Sequence, residues 1–247
     1  MMNGIQFIPN NNRSVIRMLS REYERYNRGR NRILMGAVCL CIITLTMVFG
    51  IAVGKVQAEY LKEARAAGTT ASASIGGAGT SVYQKVRSLG YVKQAGRRVS
   101  VGWASAAKSA EGDGEITIQL LDGPAWERII SPAYTDIHGH YPAEEQEIML
   151  PVRAMEVLGI DGPVEGMKVG LTVSIGLFRK EQEEFILSGW YTDYADLSAD
   201  RGIGYISEAK YKAWGYDIGN ESDILICQSD SMDWRETEER LYQDAVG

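Results

Sequence analysis

The 247-residue chain has two histidines, and they stand together: His138 and His140 flank Gly139. Imidazole nitrogens are common metal ligands, so a His-Gly-His pair is the first place to look for a bound cation. A tetrahedral site needs a third and a fourth ligand, and no third stands at metal-ligand spacing. The i, i+2 spacing across glycine suits a polar surface turn, and that is the reading adopted. Asp136, Glu144, Glu145 and Glu147 lie close by. Paired carboxylates divide acid and base work when their environments differ. Four acids in one hydrophilic stretch read instead as charge on a solvated loop.

Other catalytic patterns are as sparse. The segment Gly50 to Lys55, GIAVGK, is one residue short of a phosphate-binding loop and lacks the Ser or Thr that follows its lysine. No G-x-S-x-G nucleophile elbow occurs. Trp190, Tyr191 and Tyr194 suggest either a peptide or lipid groove or, as the stronger reading, core and sheet-edge packing. Cys39 and Cys41 sit two apart in an apolar run, and Cys227 stands by itself in the rest of the chain, so no disulfide framework is expected. The sequence reads as non-enzymatic, with no catalytic, cofactor-binding or metal-ligating residue.

The elements that carry these residues begin with a membrane segment. Ile33 to Val53 is a run of 21 residues without a charged, amide or proline residue. At 1.5 Å per residue it reaches about 31 Å, the thickness of a bilayer's hydrocarbon core. Its eleven Ile, Leu, Val and Phe residues favour insertion by roughly 3–7 kcal/mol. A buried core helix is rarely apolar all round for that length. A cleaved signal is disfavoured by an apolar run longer than the usual signal core and by Lys55 before the nearest small-residue site.

The flanks give the helix a direction. Seven arginines precede it (Arg13, Arg17, Arg21, Arg25, Arg28, Arg30 and Arg32) against Glu22 and Glu24, a net of +5. The whole chain is at −6, so the remainder is at −11. Basic residues beside a membrane helix favour the cytoplasmic side, which puts residues 1–32 inside the cell and residues 55–247 outside. An acidic exterior excludes nucleic acid as a partner there. Arg13, Arg17, Arg21 and Arg25 fall on one helical stripe, beside an apolar pattern of Ile16, Leu19, Tyr23 and Tyr26. This basic amphipathic segment suits the inner leaflet or a cytoplasmic protein; a loose tail carrying topology charge is the plainer reading.

Residues 33–54 are thus the transmembrane helix. Residues 55–67, KVQAEYLKEARAA, hold good helix formers and no breaker, so the helix is expected to continue as a stalk and to stop at Gly68. Gly50 and Gly54 form a weak G-x-x-x-G pair. Residues 68–247 are expected to form one α+β domain. Strands are predicted at 69–75, 98–104, 116–120, 147–151, 167–175, 184–190, 204–206 and 224–227. Helices are predicted at 81–89, 126–130, 152–158, 208–214 and 234–245. Loops are predicted at 76–79 and 108–114.

The order of short motifs in this domain carries a resemblance. Gly139-His140-Tyr141-Pro142 is followed by Glu147-Ile148-Met149-Leu150, Leu158-Gly159 and Gly166-Met167-Lys168-Val169. Phe185-Ile186-Leu187-Ser188-Gly189-Trp190 and Tyr205-Ile206-Ser207 complete it. The series resembles the extracytoplasmic core domain of FtsX/MacB-type ABC transporter permeases, especially those of Gram-positive bacteria. A basic helix, one membrane helix and then a large outer domain match as well. The resemblance implies a permease subunit in the cell membrane with no catalytic site. It would associate with a cytoplasmic ABC ATPase, dimerise with the same or another permease, and couple ATP hydrolysis to motion of the outer domain. Family members carry three further membrane helices after this domain, so the resemblance implies a sequence truncated within or just after it. A single-pass anchored extracellular binding or sensor protein is the alternative, and a membrane-anchored hydrolase a third.

Overall fold

The computed structural model describes residues 12–106, 115–176, 179–195, 202–229 and 234–246. The chain divides into two compact units, Met1–Glu59 and Tyr60–Gly247.

In the first unit, α1 (Arg13–Tyr26) is closed at Asn27, whose backbone N–H and side-chain amide both donate to the Tyr23 carbonyl, at 3.0 and 3.1 Å. The second helix, α2 (Arg28–Ala67), begins one residue later and runs unbroken for 40 residues. The sequence-derived membrane segment and stalk are therefore parts of one element. It is the one helix among the described residues long and apolar enough to cross a membrane. Its two mid-run hydroxyls are satisfied internally: Thr44 donates to the Leu40 carbonyl and Thr46 to the Ile42 carbonyl. In lipid an unpaired hydroxyl would find no water, and this back-bonding removes that cost.

Among its described residues the second unit has nine strands. In chain order it runs β1 (Ala73–Ala78), α3 (Thr80–Arg87), β2 (Val92–Ala106), β3 (Ile116–Leu121), α4 (Gly123–Ala125) and β4 (Thr135–Gly139). Next come β5 (Glu147–Pro151), α5 (Val152–Val157), β6 (Lys168–Ile175), β7 (Arg179–Thr192) and β8 (Ile203–Ile206). The series ends with α6 (Glu208–Ala213), β9 (Ser222–Gln228) and α7 (Trp234–Leu241). The expected α+β class is what forms: strands and short helices mix, and of the strand pairs β3 with β8 and β5 with β7 are parallel.

Six of the strands close a ring. β2 pairs with β3, β3 with β8, β8 with β5, β5 with β7, β7 with β6, and β6 returns to β2. Alternate residues share one core: Ile116, Ile118 and Leu120 with Ile148 and Leu150, Leu171 and Val173, Phe185 and Leu187, all fully buried. That period of two is what a small side-chain-filled barrel demands. The ring depends on Gly102. Below it β2 pairs with β9, and from it onward β2 pairs with β6. A Cβ there would lie 1.9 Å from the Ser174 carbonyl oxygen.

Two flanking layers complete the domain. Ala78, Tyr83, Val86, Ala95, Ile224, Ile226 and Leu241 bury α3 and α7 against β1, β9 and the first half of β2. Leu121, Ile129, Ile130, Tyr134, Met149, Tyr191 and Tyr205 form a second, aromatic cluster under a short helical segment.

Several expectations change. β1 lies at Ala73–Ala78, later than read, and takes in Gly76 and Gly77 from the supposed loop, because pairing with β9 tolerates an irregularity there. β2 and β7 are longer than expected: their polar ends pair with β9 and β6, and backbone pairing needs no apolar pattern. Residues 126–130 form a π turn, Trp126–Ile130, continuing α4. β4 was not foreseen at all; every residue of it but Thr135 is exposed, so it leaves no alternation to read. α7 ends at Leu241 and passes into a π turn, Tyr242–Val246. The polar turn read at 108–114 lies outside the described residues.

Candidate functional site at the end of the long helix

The end of α2 is fixed by sequence chemistry. Gly68 adopts φ +65°, a left-handed conformation that glycine takes without a Cβ penalty. Its N–H bonds to the Arg65 carbonyl at 3.2 Å, and the Thr69 N–H reaches back to the Ala64 carbonyl at 3.1 Å. This pair of bonds is a Schellman motif, which satisfies carbonyls that a helix end would otherwise leave bare. The stop expected at Gly68 is therefore where the helix ends. Ala64 is the one residue of α2 that is buried, and a Cβ on Gly68 would lie 2.9 Å from that of Ala195.

At the third residue beyond the helix the chain is pinned. The Thr70 N–H and hydroxyl both donate to the Ile129 carbonyl, at 2.9 Å each. The Thr70 carbonyl accepts the Cys227 thiol at 3.4 Å, and the Ser72 N–H donates to the Ile226 carbonyl at 2.8 Å. Ile129 can accept because its carbonyl lies in the last turn of the Trp126–Ile130 π segment, where helical carbonyls lose their in-helix donors. That segment is started by Asp122, whose carboxylate accepts the Ala125 N–H at 2.9 Å.

Below this pin lies the aromatic cluster. Tyr134 stacks on Tyr191 with ring centroids 4.3 Å apart, and the Tyr134 and Tyr205 hydroxyls are 2.6 Å from each other. The Tyr191 hydroxyl donates to the Ile203 carbonyl. Trp126 lies 5.0 Å from Tyr141 and 5.5 Å from Tyr205. Burial pushes the Tyr134, Tyr141, Tyr191 and Tyr205 phenols above their ordinary range, so they stay neutral and act as hydrogen-bonding wedges. At the rim, the Arg65 guanidinium sits 6.0 Å from the Tyr194 ring centroid, and Thr135 of β4 donates to the Tyr194 hydroxyl at 3.2 Å.

The residues singled out for chemistry are dispersed. His138 stands on β4 and stacks on Trp190 with centroids 5.2 Å apart. His140 Nδ1 lies 3.1 Å from the Tyr141 carbonyl, and its Nε2 lies 3.6 Å from Glu147 and 4.0 Å from Glu165. Among the described residues no three His, Cys, Asp or Glu side chains are placed to hold a metal ion. Asp136, Glu144 and Glu145 are exposed, Asp136 on strand β4 and not on a loop, Glu144 and Glu145 in the turn before β5. Glu147 differs. Its side chain is 15% exposed and accepts the Ala143 and Glu144 N–H groups at 2.8 and 3.0 Å, so it ties down the loop before β5. Trp190 is half-buried against the barrel core and Tyr191 lies in the aromatic cluster, whereas Tyr194 is exposed beside Arg65. Cys39, Cys41 and Cys227 are free.

The motifs that carried the resemblance do converge, around β7 and its neighbours β4, β5 and β8. The His140 N–H donates to the Ser188 carbonyl at 3.0 Å, and the Ser188 hydroxyl returns to the His140 carbonyl at 3.0 Å. Gly139 pairs with Gly189, and a Cβ on Gly139 would lie 2.1 Å from the Ser188 oxygen. The Gly166 N–H meets the Leu187 carbonyl at 2.8 Å. Met149 pairs with Tyr205, and Ser207 caps α6 through the Lys210 N–H at 3.0 Å. The Tyr141 hydroxyl accepts the Leu121 N–H at 2.8 Å. Their roles are architectural. Thr70 and Ile129 were missed by sequence reading, because 59 residues separate them.

No protein-family model and no curated protein matches the chain. Among solved structures it is similar to the periplasmic region of MacB from Actinobacillus actinomycetemcomitans. That similarity has a TM-score of 0.46 at 11% identity over 68% of this chain and 73% of that one. It is also similar to the extracellular domain of the noncanonic ABC-type transporter YknZ from Gram-positive bacteria. There the TM-score is 0.44 at 9% identity, over 68% of this chain and 80% of that one.

Proposed function

We propose that this chain belongs to an ABC-transporter permease subunit. In this reading it crosses the cell membrane once through α2, with its N-terminus in the cytoplasm and residues 55–247 outside. It associates with a cytoplasmic ABC ATPase, pairs with a second permease chain, and has no catalytic site of its own. ATP hydrolysis moves α2, and α2 moves the outer domain.

The observation that carries this reading is the lack of slack at the foot of α2. An anchor that only tethers a domain is served by a flexible linker. Here Gly68 and Thr69 alone separate the helix from Thr70, and Thr70 is bonded through its N–H, hydroxyl and carbonyl. A continuous helix keeps its backbone bonds inside lipid and carries displacement along its axis. The pin delivers that displacement to Ile129 and the tyrosine layer. The motif order is independent support.

The test is co-purification of the tagged protein from native membranes in mild detergent, with and without a non-hydrolysable ATP analogue. The expected result is a stoichiometric ATPase bearing a phosphate-binding loop. Absence of any such ATPase under both conditions would overturn the reading.

A further inference from the structure

The helix α1 is not used by the coupling pathway, and none of its residues is buried. At 100° per residue, Val15, Ile16, Leu19, Tyr23 and Tyr26 fill an arc of about 100°, and Arg13, Arg17, Arg21 and Arg25 an arc of about 120° opposite, Arg13 and Arg25 at its margins. All five apolar-face residues are exposed, Tyr26 at 91%. An exposed stripe of this kind needs a cover, and the chain places one at hand. Asn27 alone separates α1 from α2, and the apolar run begins at Ile33. Residues 28–32 of α2 span roughly 7.5 Å, about headgroup depth. The C-terminal end of α1 therefore cannot leave the membrane surface. Tyr23 and Tyr26 at that end are the residue type that settles at headgroup level. Glu22 and Glu24 are the acids on α1, against five arginines of the helix and its margin, Arg13 to Arg28.

We infer that α1 docks on an anionic lipid surface, its apolar arc in the interface and its arginines on acidic headgroups. The inference rests on α2 crossing the bilayer, not on the permease reading. Charge complementarity selects this occupant: Glu22 lies 4.0 Å from Arg25, and a zwitterionic surface would satisfy the apolar arc while supplying no net counter-charge to the rest of the arginine face.

The experiment is hydrogen exchange on the full chain, with no other protein present, in vesicles of phosphatidylcholine alone and of equal parts phosphatidylcholine and phosphatidylglycerol. The amides of residues 13–26 are expected to exchange at least ~10-fold more slowly in the phosphatidylglycerol vesicles. Molar salt, or the R13Q/R17Q/R21Q/R25Q variant, is expected to abolish the difference. Equal exchange in both vesicles, whether slow or fast, would overturn the inference; so would survival of the difference in the variant. Residues 33–53 serve as the internal control: their slow exchange in both vesicles confirms the bilayer crossing, and fast exchange there would overturn the inference along with that crossing. Loss of ATPase association in the separate co-purification would leave the lipid result standing.

Discussion

Thr70 and Ile129 are joined by two hydrogen bonds to a single oxygen: the Thr70 N–H and its hydroxyl both end on the Ile129 carbonyl, 2.9 Å away. Ile129 is itself fully buried in the tyrosine layer. Replacing Thr70 by valine keeps the branched shape and removes the hydroxyl bond. The expected cost is about 1 kcal/mol, read by denaturant unfolding of the detergent-solubilised protein. Amides of the 126–134 segment should exchange faster in the same variant while those of the barrel strands do not.

Gly68 should tolerate little. Alanine at this position meets a left-handed backbone, about 1–2 kcal/mol for a residue with a Cβ, as well as the contact with Ala195. Asparagine visits the left-handed region more readily and should cost less than alanine. The two variants ranked in that order by thermal unfolding would support the Schellman ending; equal stability to the parent would contradict it.

Gly102 bears on the barrel itself. A Cβ placed 1.9 Å from the Ser174 oxygen forces β2 and β6 apart where the ring closes. Gly102→Ala is expected to lose upwards of ~4 kcal/mol, the range reserved for overpacking at a fixed backbone contact. A crystal structure or circular dichroism spectrum unchanged from the parent, with unchanged melting, would count against ring closure.

Lys210 and Glu183 form a pair whose side chains are 7% and 21% exposed, with Trp214 Nε1 donating to Glu183 at 3.0 Å. Lys210→Met should cost roughly 3–5 kcal/mol, since it leaves the carboxylate without its cation. Adding Glu183→Gln keeps the acceptor for Trp214 and removes the stranded charge, so the double variant should regain much of the loss. A double variant as unstable as the single would show that the lysine stem, not its charge, is what α6 requires.

Acid dependence has contributions of opposite sign. Burial opposes ionisation of Glu147, but the Glu144 and Ala143 N–H groups and His140 outweigh it and hold its pKa below the ordinary glutamate value. Glu183 behaves alike, lowered by Lys210 and Trp214 against burial. Stability from these two is full above the ordinary glutamate value and is lost as pH falls through their depressed values. Asp193 is shifted up, chiefly by burial, despite the Ala195 and Tyr194 N–H groups and Arg153. Its contribution is full below the ordinary aspartate value and is lost as pH rises through the raised one. Asp193→Asn should therefore raise the melting temperature at pH 7 and change it little at pH 3, and Glu147→Gln should lower it at pH 7.

Much of this was legible in the sequence. The 21-residue apolar run and Gly68 defined α2's apolar length and its end, and the alternation of Ile116, Ile118 and Leu120 gave a strand that pairs on both sides. What escaped was whatever depends on a distant partner. β4 shows no alternation because all but one of its residues face solvent, and Asp136 within it has φ 49°. The first half of β2, VKQAGRR, is polar and becomes strand because β9 lies beside it. Glu147 looked like loop charge because the backbone donors that hold it are invisible to composition. Thr70 reads as one small residue among many until Ile129 is brought against it.

The central claim is that movement of α2 passes through Thr70 into the outer domain. It is tested most directly by hydrogen exchange on the protein reconstituted with the proposed ATPase partner, in the nucleotide-free and vanadate-trapped states. The account predicts that residues 64–72 and 126–134 change exchange together on trapping, and that Thr70→Val keeps the change at 64–67 while losing it at 126–134. A nucleotide response confined to α2 in the parent protein, or one that reaches 126–134 undiminished in Thr70→Val, would contradict it.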